Sequence, residues 1–217
     1  LKHMRMAHTG ERSDDGLPPI KQRLQVLACD VVVVAKSHVD VSRRAADGST
    51  GALAIRDAYS GLSLTFPFSR TTQKKVEECL KWFVGVGWTK KPQLLVKTDC
   101  ADNLKNAIKE CGFVADTSLP NRFPHNSHLE RSVQTTKSCQ RASVLQGGTP
   151  TNSWGACYWY SSIALNISQK APLQPHEKDA NGKPLPGFED KAQMTTWEAH
   201  FGEPFNGPLQ PFGLSLI

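Results

Sequence analysis

Three acidic residues occupy positions from which a carboxylate can bind a ligand. Asp30 interrupts an otherwise apolar run. Asp99 ends a second apolar segment, and Glu130 falls in the first turn of a predicted helix. A bare carboxylate in a core is costly unless it is paired, protonated or bound to a metal. Three acids on neighbouring elements supply the oxygen ligands that a hard divalent cation needs, and two such ions can clamp an in-line displacement at phosphorus.

Each of these acids also has an ordinary structural explanation. Asp30 could pair with a buried Arg or Lys, and Asp99 could be a turn residue. Glu130 could simply be favoured by the helix dipole. Spacing alone leaves these alternatives open.

The elements that must position the acids follow from apolar periodicity and turn residues. Apolar and β-branched runs predict five strands, at 24–35, 51–57, 62–68, 92–99 and 113–119. Helical spacing predicts one helix capped by Thr71 or Thr72 and stopped by Gly85, and further helices at 102–112, 128–148 and 151–168. The first three strands are spaced as an antiparallel meander with one long hairpin loop. The order β-β-β-α-β-α-β-α-α predicts an α/β protein with a mixed sheet.

Composition limits the class of protein. The chain has 217 residues, 39% hydrophobic and 21% charged, as expected for a globular domain. No apolar run approaches the ~18 residues of a membrane span, and the N-terminal residues lack the apolar region of a secretory signal. Six scattered cysteines without a CxxC pair favour reduced thiols in an intracellular protein. The chain starts with Leu1, from which we expect a fragment.

The charge is unevenly distributed along the chain. The net charge is +6, with −3 over residues 171–217 and therefore +9 over residues 1–170. A basic body with an acidic tail favours a polyanionic partner.

The motifs around the three acids follow a recognisable order. The strand with Asp30 is followed by TDCADNL (98–104), which begins a short helix, and by PHNSHLER (124–131), which opens a long one. This order resembles the retroviral and retrotransposon integrase core, of the ribonuclease-H-like superfamily, with its Asp-Asp-Glu triad. That family's blocks often read TDNG-x-E-F and P-x-x-N-G-x-x-E-R, so Asn126 and Glu130 are in register. Ser127 replaces the family glycine, and the acid of the first block is missing.

Two further segments extend the resemblance. RDAYSG (56–61) resembles the D-x-x-S-R segment after the family's second strand. TTWEAHFGEPFNGPLQPFG (195–213) is similar to a segment downstream of the core in many retrotransposon polyproteins. The resemblance covers about 24–213 and implies a ribonuclease-H-like fold with a mixed five-stranded sheet flanked by helices.

The resemblance also implies a division of the chain. Residues 24–168 correspond to the catalytic core and 169–217 to a C-terminal extension. Residues 1–23 correspond to a linker, or to the edge of a zinc-binding region that contains His3 and His8. The chain would then be a piece of the polyprotein of a transposable element.

The resemblance implies a metal-dependent activity on DNA. Asp30 and Asp99 would share Mg²⁺ (or Mn²⁺), and Glu130 would complete the site. The metals would activate water for 3′-end processing and then the freed 3′-hydroxyl for strand transfer, which is DNA integration. If the register is shifted, Asp40 replaces Asp30; we prefer Asp30, because it has apolar neighbours on both sides. We interpret Asp57 as a strand-end residue.

Several further residues are candidates for nucleic-acid contacts. His125 and Asn126 would hold the loop or touch DNA. Arg131, Lys137 and Arg141 recur on the long helix and would contact phosphates; the alternative is a solvated helix face. His128 and Cys139 are assigned to packing.

The family implies element ends and target DNA as partners, a homo-oligomer, a nuclear location and no membrane. Two alternatives remain. One is a decayed, non-catalytic integrase relic that binds nucleic acid. The other is a ribonuclease-H-like nuclease that hydrolyses without joining.

Overall fold

The computed structural model describes residues 19–34, 44–87, 94–99, 101–117, 127–208 and 210–213. The strands are β1 (Val26–Val33), β2 (Gly51–Asp57), β3 (Ser63–Phe68), β4 (Leu95–Thr98) and β5 (Val114–Thr117). The α-helices are α1 (Gln73–Val84), α2 (Asp102–Glu110), α3 (Ser127–Gln146), α4 (Trp154–Ser168), α5 (Glu189–Gln193) and α6 (Thr196–Phe201). Short 3₁₀ turns lie at Thr151–Ser153 and Pro175–Glu177.

The strands form one mixed sheet in the order β3-β2-β1-β4-β5. β1, β2 and β3 form an antiparallel meander, while β4 is parallel to β1 and β5 is parallel to β4. The C-terminal ends of β1, β3, β4 and β5 therefore meet at one edge of the sheet, which we call the carboxyl edge. The predicted α/β class, with a mixed five-stranded sheet flanked by helices, is confirmed.

The larger core lies between the sheet and the α1–α2 pair. Side chains alternate along a strand, so Leu27 and Cys29 of β1 point to this side. The buried residues of α1 recur at helical spacing, at Val76, Cys79, Leu80 and Phe83. α1 begins at Thr72, whose hydroxyl accepts from the Lys75 amide at 3.2 Å, and it ends at Gly85 with φ 79°. These are the predicted helix and the predicted caps.

The opposite face of the sheet is built from small side chains and packs against α3. Ala28 and Val32 of β1 and Ala54 of β2 form a buried cluster with Leu129 and Val133 of α3. The residues of α3 that are buried are Leu129, Val133, Thr136, Gln140 and Val144. Because alanine projects little from the sheet, α3 lies close to the strands.

α4 covers the free edge of β3. The Asn166 side chain accepts from the Ser63 amide at 3.0 Å and donates to the Ser63 carbonyl at 2.8 Å. The Thr196 hydroxyl contacts the Asn166 carbonyl and side-chain oxygens at 2.9 and 3.0 Å. The Thr65 hydroxyl donates to the Tyr158 carbonyl at 3.0 Å. α4 and α6 thereby satisfy polar groups that the sheet itself leaves unpaired.

Residues 169–201, which we call the tail segment, contain a buried ion pair. The Lys191 ammonium lies 2.8 and 2.7 Å from the two carboxylate oxygens of Glu177. It also sits 3.6 Å from the ring centroid of Tyr59, in the turn between β2 and β3. The tail segment is therefore joined to that turn by a cation–π contact from a buried lysine.

The backbone of the same turn receives two close side-chain contacts from the tail segment. The Gln174 side-chain amide donates from Nε2 to the Ala58 carbonyl at 2.8 Å. Pro172 packs so closely on Gly61 that a Cβ at Gly61 would lie 2.6 Å from the proline Cδ. Since Gly61 has φ 79° as well, the turn requires glycine there on two grounds.

A buried polar cluster links the end of β2 to α6. The Asp57 carboxylate accepts from the Leu24 amide at 3.0 Å and from the Ser60 hydroxyl at 2.6 Å. The His200 Nδ1 lies 3.0 Å from the Ser60 hydroxyl and 3.5 Å from Asp57. Burial by itself raises the pKa of Asp57, but the hydrogen bonds from His200 and Ser60 outweigh it and leave that pKa below its usual value. Asp57 thus ends its strand, as predicted, and also holds α6.

Two short helices, α5 and α6, lie outside the predicted elements. α6 carries a capping box, in which the Thr195 hydroxyl accepts from the Glu198 amide and the Glu198 carboxylate accepts from the Thr195 amide. It ends at Gly202 with φ 82°. None of the helices described above combines the length and apolarity that a bilayer crossing requires.

We predict that Lys191→Met lowers the free energy of unfolding by about 3–5 kcal/mol, because it leaves the buried Glu177 carboxylate without a cationic partner. Urea unfolding of the full chain measures this. Lys178→Met, on an exposed lysine, is the matched control and should cost under about 0.5 kcal/mol. The double variant Lys191→Met with Glu177→Leu should recover much of the loss. Equal costs for Lys191→Met and Lys178→Met would contradict the buried pair.

Candidate active site at the carboxyl edge

Asp30 and Asp99 lie at equivalent positions of two neighbouring parallel strands. β1 pairs with β4 in the register Val26 with Leu95 through Ala28 with Lys97. Continued by two residues, this register sets Asp30 beside Asp99, which directly follows β4. Adjacent strands lie about 4.8 Å apart, so the two acids leave the backbone close together at the carboxyl edge.

The Asp30 side chain lies on the small-residue face that α3 covers. It falls between Ala28 and Val32 along β1 and opposite Ala54 of β2. It is half-buried, and its Oδ1 accepts from the Val31 amide at 2.7 Å. Half-burial explains how an acid is tolerated in this strand.

Cys29 connects β1 to β4 next to the two acids. Its thiol contacts the Thr98 hydroxyl at 3.7 Å across the β1–β4 pair. Burial raises the pKa of Cys29 to about 12, the Thr98 hydrogen bond opposes this, and the charges of Asp30 and Asp99 add to the rise. The Cys29–Thr98 contact thus joins the two strands one residue before each acid.

Asp99 is exposed and forms the turn that starts α2. Its Oδ1 accepts from the Ala101 amide at 3.1 Å. The Asn103 side chain donates to the Thr71 carbonyl at 3.1 Å, so the starts of α1 and α2 are tied together beside it. The turn explanation for Asp99 therefore holds, and it is compatible with ligand binding through the other carboxylate oxygen.

Glu130 is carried by the helix that packs on this face. It follows Leu129, which is fully buried against the sheet, and it is itself half-buried. Together with Arg131, Gln134 and two further α3 residues, it lines an open concavity of about 480 Å³. The first turn of α3 thus brings a third carboxylate to the face that carries Asp30.

Lys137 and Arg141 share a stripe of α3 with Glu130. They follow Glu130 by seven and eleven residues, which returns them to nearly the same side of a helix with 3.6 residues per turn. Arg131, the residue after Glu130, lies about 100° away from Glu130 around the helix axis. Arg131 and Arg141 are exposed, and Lys137 is half-buried.

The donor chemistry of these acids suits a hard divalent cation, but the described residues contain no group of three His, Cys, Asp or Glu arranged closely enough to hold one. Two carboxylates on adjacent strands and a third on the facing helix supply oxygen ligands. The convergence of Asp30, Asp99 and Glu130 on one metal stays a prediction. The alternative ligand Asp40, and the predicted DNA contacts His125 and Asn126, lie outside the described residues.

Lys97 is a neighbour of the site that the sequence analysis did not include. It precedes Asp99 by two residues, so it lies on the same face one row further from the carboxyl edge. Its ammonium is 4.0 Å from Asp116 of β5. The alternation in the segment VKTD was the signal that could have identified it.

Comparison with known proteins gives structural matches only. No family model and no curated protein matches the chain. The chain is similar to a chain of the cryoEM structure of the simian T-cell lymphotropic virus intasome in complex with PP2A regulatory subunit B56 gamma, with a TM-score of 0.54 and 12% identity. That match covers 89% of this chain and 60% of the other, so our chain spans less than two thirds of its length.

Two shorter solved structures also match. One is the catalytic core domain of BIV integrase, with a TM-score of 0.48, 15% identity, and 82% and 95% of the two chains covered. The other is the HTLV-2 integrase catalytic core domain in complex with magnesium in a trimeric form, with a TM-score of 0.48, 13% identity, and 82% and 97% covered. The intasome match, together with the sheet order described above, confirms the expected ribonuclease-H-like fold of an integrase core.

We predict that Leu129→Ala lowers the free energy of unfolding by about 2–5 kcal/mol, because Leu129 anchors the first turn of α3 to the sheet. Leu145→Ala is the matched control, since Leu145 lies on the same helix and is 80% exposed. It should change stability by under about 0.5 kcal/mol. Thermal and urea unfolding measure both variants. Similar losses for the two would mean that α3 does not pack through Leu129.

Proposed function

We propose that this chain is the core of a divalent-metal-dependent polynucleotidyl transferase that acts on DNA, of the integrase type. The β1–β4 register carries this proposal, because its continuation by two residues would bring Asp30 beside Asp99 at the edge where open α/β sheets bind ligands. The packing of Leu129 on the same face, which positions Glu130, supports it. The integrase-core fold is consistent with it.

Asp30 and Asp99 would hold Mg²⁺ or Mn²⁺, and Glu130 would complete the site. The bound metal would supply an activated nucleophile and stabilise charge on the phosphate. The chain's own part is to fix the acids on rigid elements. Asp30 lies within the ladder of β1 and β2, Asp99 directly follows β4, and α3 holds Glu130 through its buried stripe.

The basic stripe of α3 would hold the DNA backbone. Lys137 and Arg141 continue the line of Glu130, so a strand whose phosphate reaches the acids would run along these two cations. Arg131 flanks the same concavity. The +9 charge of residues 1–170 supports a polyanionic substrate. His125 and Asn126 remain proposed DNA contacts.

We extend the proposal to the setting of the reaction. The substrates would be the ends of a retrotransposon-type element and its target DNA, with 3′-end processing followed by strand transfer. The reaction would take place in the nucleus and involve a homo-oligomer. The motifs quoted from 124–131 and 195–213 support the retrotransposon type.

We predict that Mn²⁺ raises the thermal stability of the chain and that Asp99→Asn abolishes the rise. A ligand at 100 times its Kd stabilises a protein by about 2.7 kcal/mol. Scanning calorimetry with and without Mn²⁺ measures the effect. Asp102→Asn is the matched control, since Asp102 is an exposed acid paired with Lys105 at 2.7 Å and should leave the metal-dependent shift intact.

Two further experiments distinguish Asp30 from Asp40 as the first metal ligand, and an integrase from a nuclease or a non-catalytic relic. If Asp30→Asn keeps the Mn²⁺ shift and Asp40→Asn loses it, Asp40 is the first ligand. A strand-transfer assay with blunt donor DNA and a plasmid target then tests the chemistry. Hydrolysis without joined product would identify a nuclease, and the absence of any metal shift would leave a non-catalytic DNA-binding relic.

We predict that Lys137→Gln combined with Arg141→Gln weakens DNA binding and flattens its salt dependence. Each lost phosphate contact removes about 0.9 from the slope of log K against log salt concentration, so the pair should remove about 1.8. Fluorescence anisotropy with a labelled duplex measures the slope. Lys74→Gln with Lys75→Gln, on the exposed side of α1, is the charge-matched control. If the variant with Lys137→Gln and Arg141→Gln keeps the salt dependence of the unmodified chain, these two side chains face solvent and do not contact DNA.

A further inference from the structure

A cavity of about 330 Å³ lies between the core and the tail segment, at the end of the sheet opposite the carboxyl edge. Leu24, Leu62, Leu64 and Phe83 belong to its lining. These four side chains come from the start of β1, the start of β3 and the end of α1. Its size and apolar lining are typical of a small-molecule site.

Two partly exposed aromatic rings stand at the mouth of this cavity. Trp82 of α1 is 60% exposed and Phe201 of α6 is 44% exposed. Trp82 is fixed by an edge contact with Phe66, with 5.5 Å between ring centroids, and by another with Trp159 at 5.2 Å. A large apolar ring held in place and left open to solvent is suited to covering an apolar ligand.

The polar groups of the lining are cationic or neutral, and none of its described residues is acidic. Arg23 is exposed at the rim, and its guanidinium donates to the His200 carbonyl. None of the ion pairs among the described residues involves Arg23. The remaining donors of a planar guanidinium suit a carboxylate.

The tail segment supplies one wall through His200 and Phe201. His200 is held by the Ser60 hydroxyl at 3.0 Å and stacks edge-on against Phe83 at 5.9 Å. A ligand in the cavity would therefore touch both the core and α6, and binding would favour the docked position of α6.

We propose that this cavity binds a small apolar carboxylate, with its hydrocarbon part against Leu24, Leu64 and Phe83 and its carboxylate on Arg23. The positive charge of Arg23 at the rim determines the class of ligand. Any hydrocarbon of suitable size would fill the cavity, but only an anionic ligand would also pair with the Arg23 guanidinium. The site is remote from Asp30 and Asp99 and does not depend on their proposed role.

The test uses the full chain, with octanoate as the probe and octanamide as its uncharged equivalent, both below micelle-forming concentrations. Tryptophan emission reports binding, and Trp82→Phe identifies the signal of Trp82. We expect saturable binding of octanoate about tenfold tighter than of octanamide, the ratio that one charge-assisted hydrogen bond provides. Arg23→Gln should reduce this ratio to about one. Lys21→Gln removes the same charge two residues away, at a lysine outside the lining, and should leave the ratio unchanged.

Amide hydrogen exchange supplies a second readout, and octanoate should slow exchange in α6. Equal affinities for octanoate and octanamide, or an undiminished ratio in Arg23→Gln, would overturn the proposal. A protein-concentration-dependent shift of Trp82 emission without ligand, with dimers in sedimentation, would mean that a second copy covers the cavity.

Discussion

The parallel pairing of β1 with β4 is the contact on which the proposed chemistry depends. Three paired positions, from Val26 with Leu95 to Ala28 with Lys97, determine where every later side chain of the two strands lies. A slip of one residue would turn Asp99 to the α1–α2 side, away from Asp30. The buried contact of Cys29 with Thr98, between the last paired position and the acids, holds this register. The same pairing also determines where α2 starts, because α2 follows Asp99 almost at once.

The site combines two rigid layers with different tasks. The α1–α2 face is a conventional apolar core that anchors the sheet. The α3 face is thin, built from alanine, valine and one leucine, and an open concavity lies beside Glu130. Close packing on one face thus maintains the sheet while the other keeps carboxylates near solvent. Lys97 of β4 and Asp116 of β5 form an ion pair two residues before Asp99 along the sheet. The neighbour of the acids on that side is therefore charged and not apolar.

Local patterns in the chain were sufficient for most of the fold. The β-branched run around Asp30, the caps at Thr72 and Gly85 and the glycines after α3 each act within one element, so the five strands and four long helices could be predicted. α5 and α6 could not, because helices of five and six residues carry too little periodicity. The link between Ser60 and His200 spans 140 positions, and no local signal reveals which distant helix a buried carboxylate such as Asp57 will hold. The candidate acids could be recognised by residue type and position, whereas the small residues that surround Asp30, such as Ala54 of the neighbouring strand, follow only from the strand register.

The cover over β3 has a consequence for how copies of this chain can meet. An uncovered outer strand presents a row of backbone donors and acceptors, and it invites another strand to extend the sheet. The side chain of Asn166 pairs with the backbone N–H and carbonyl of Ser63, as a neighbouring strand would. The Thr196 hydroxyl donates to the Asn166 side-chain oxygen and holds that side chain in place. The opposite outer strand, β5, has only four residues. Strand addition is therefore opposed on the β3 side, where Asn166 pairs the Ser63 backbone, and offered little length on the other, so a sheet that continues from one copy into the next is disfavoured.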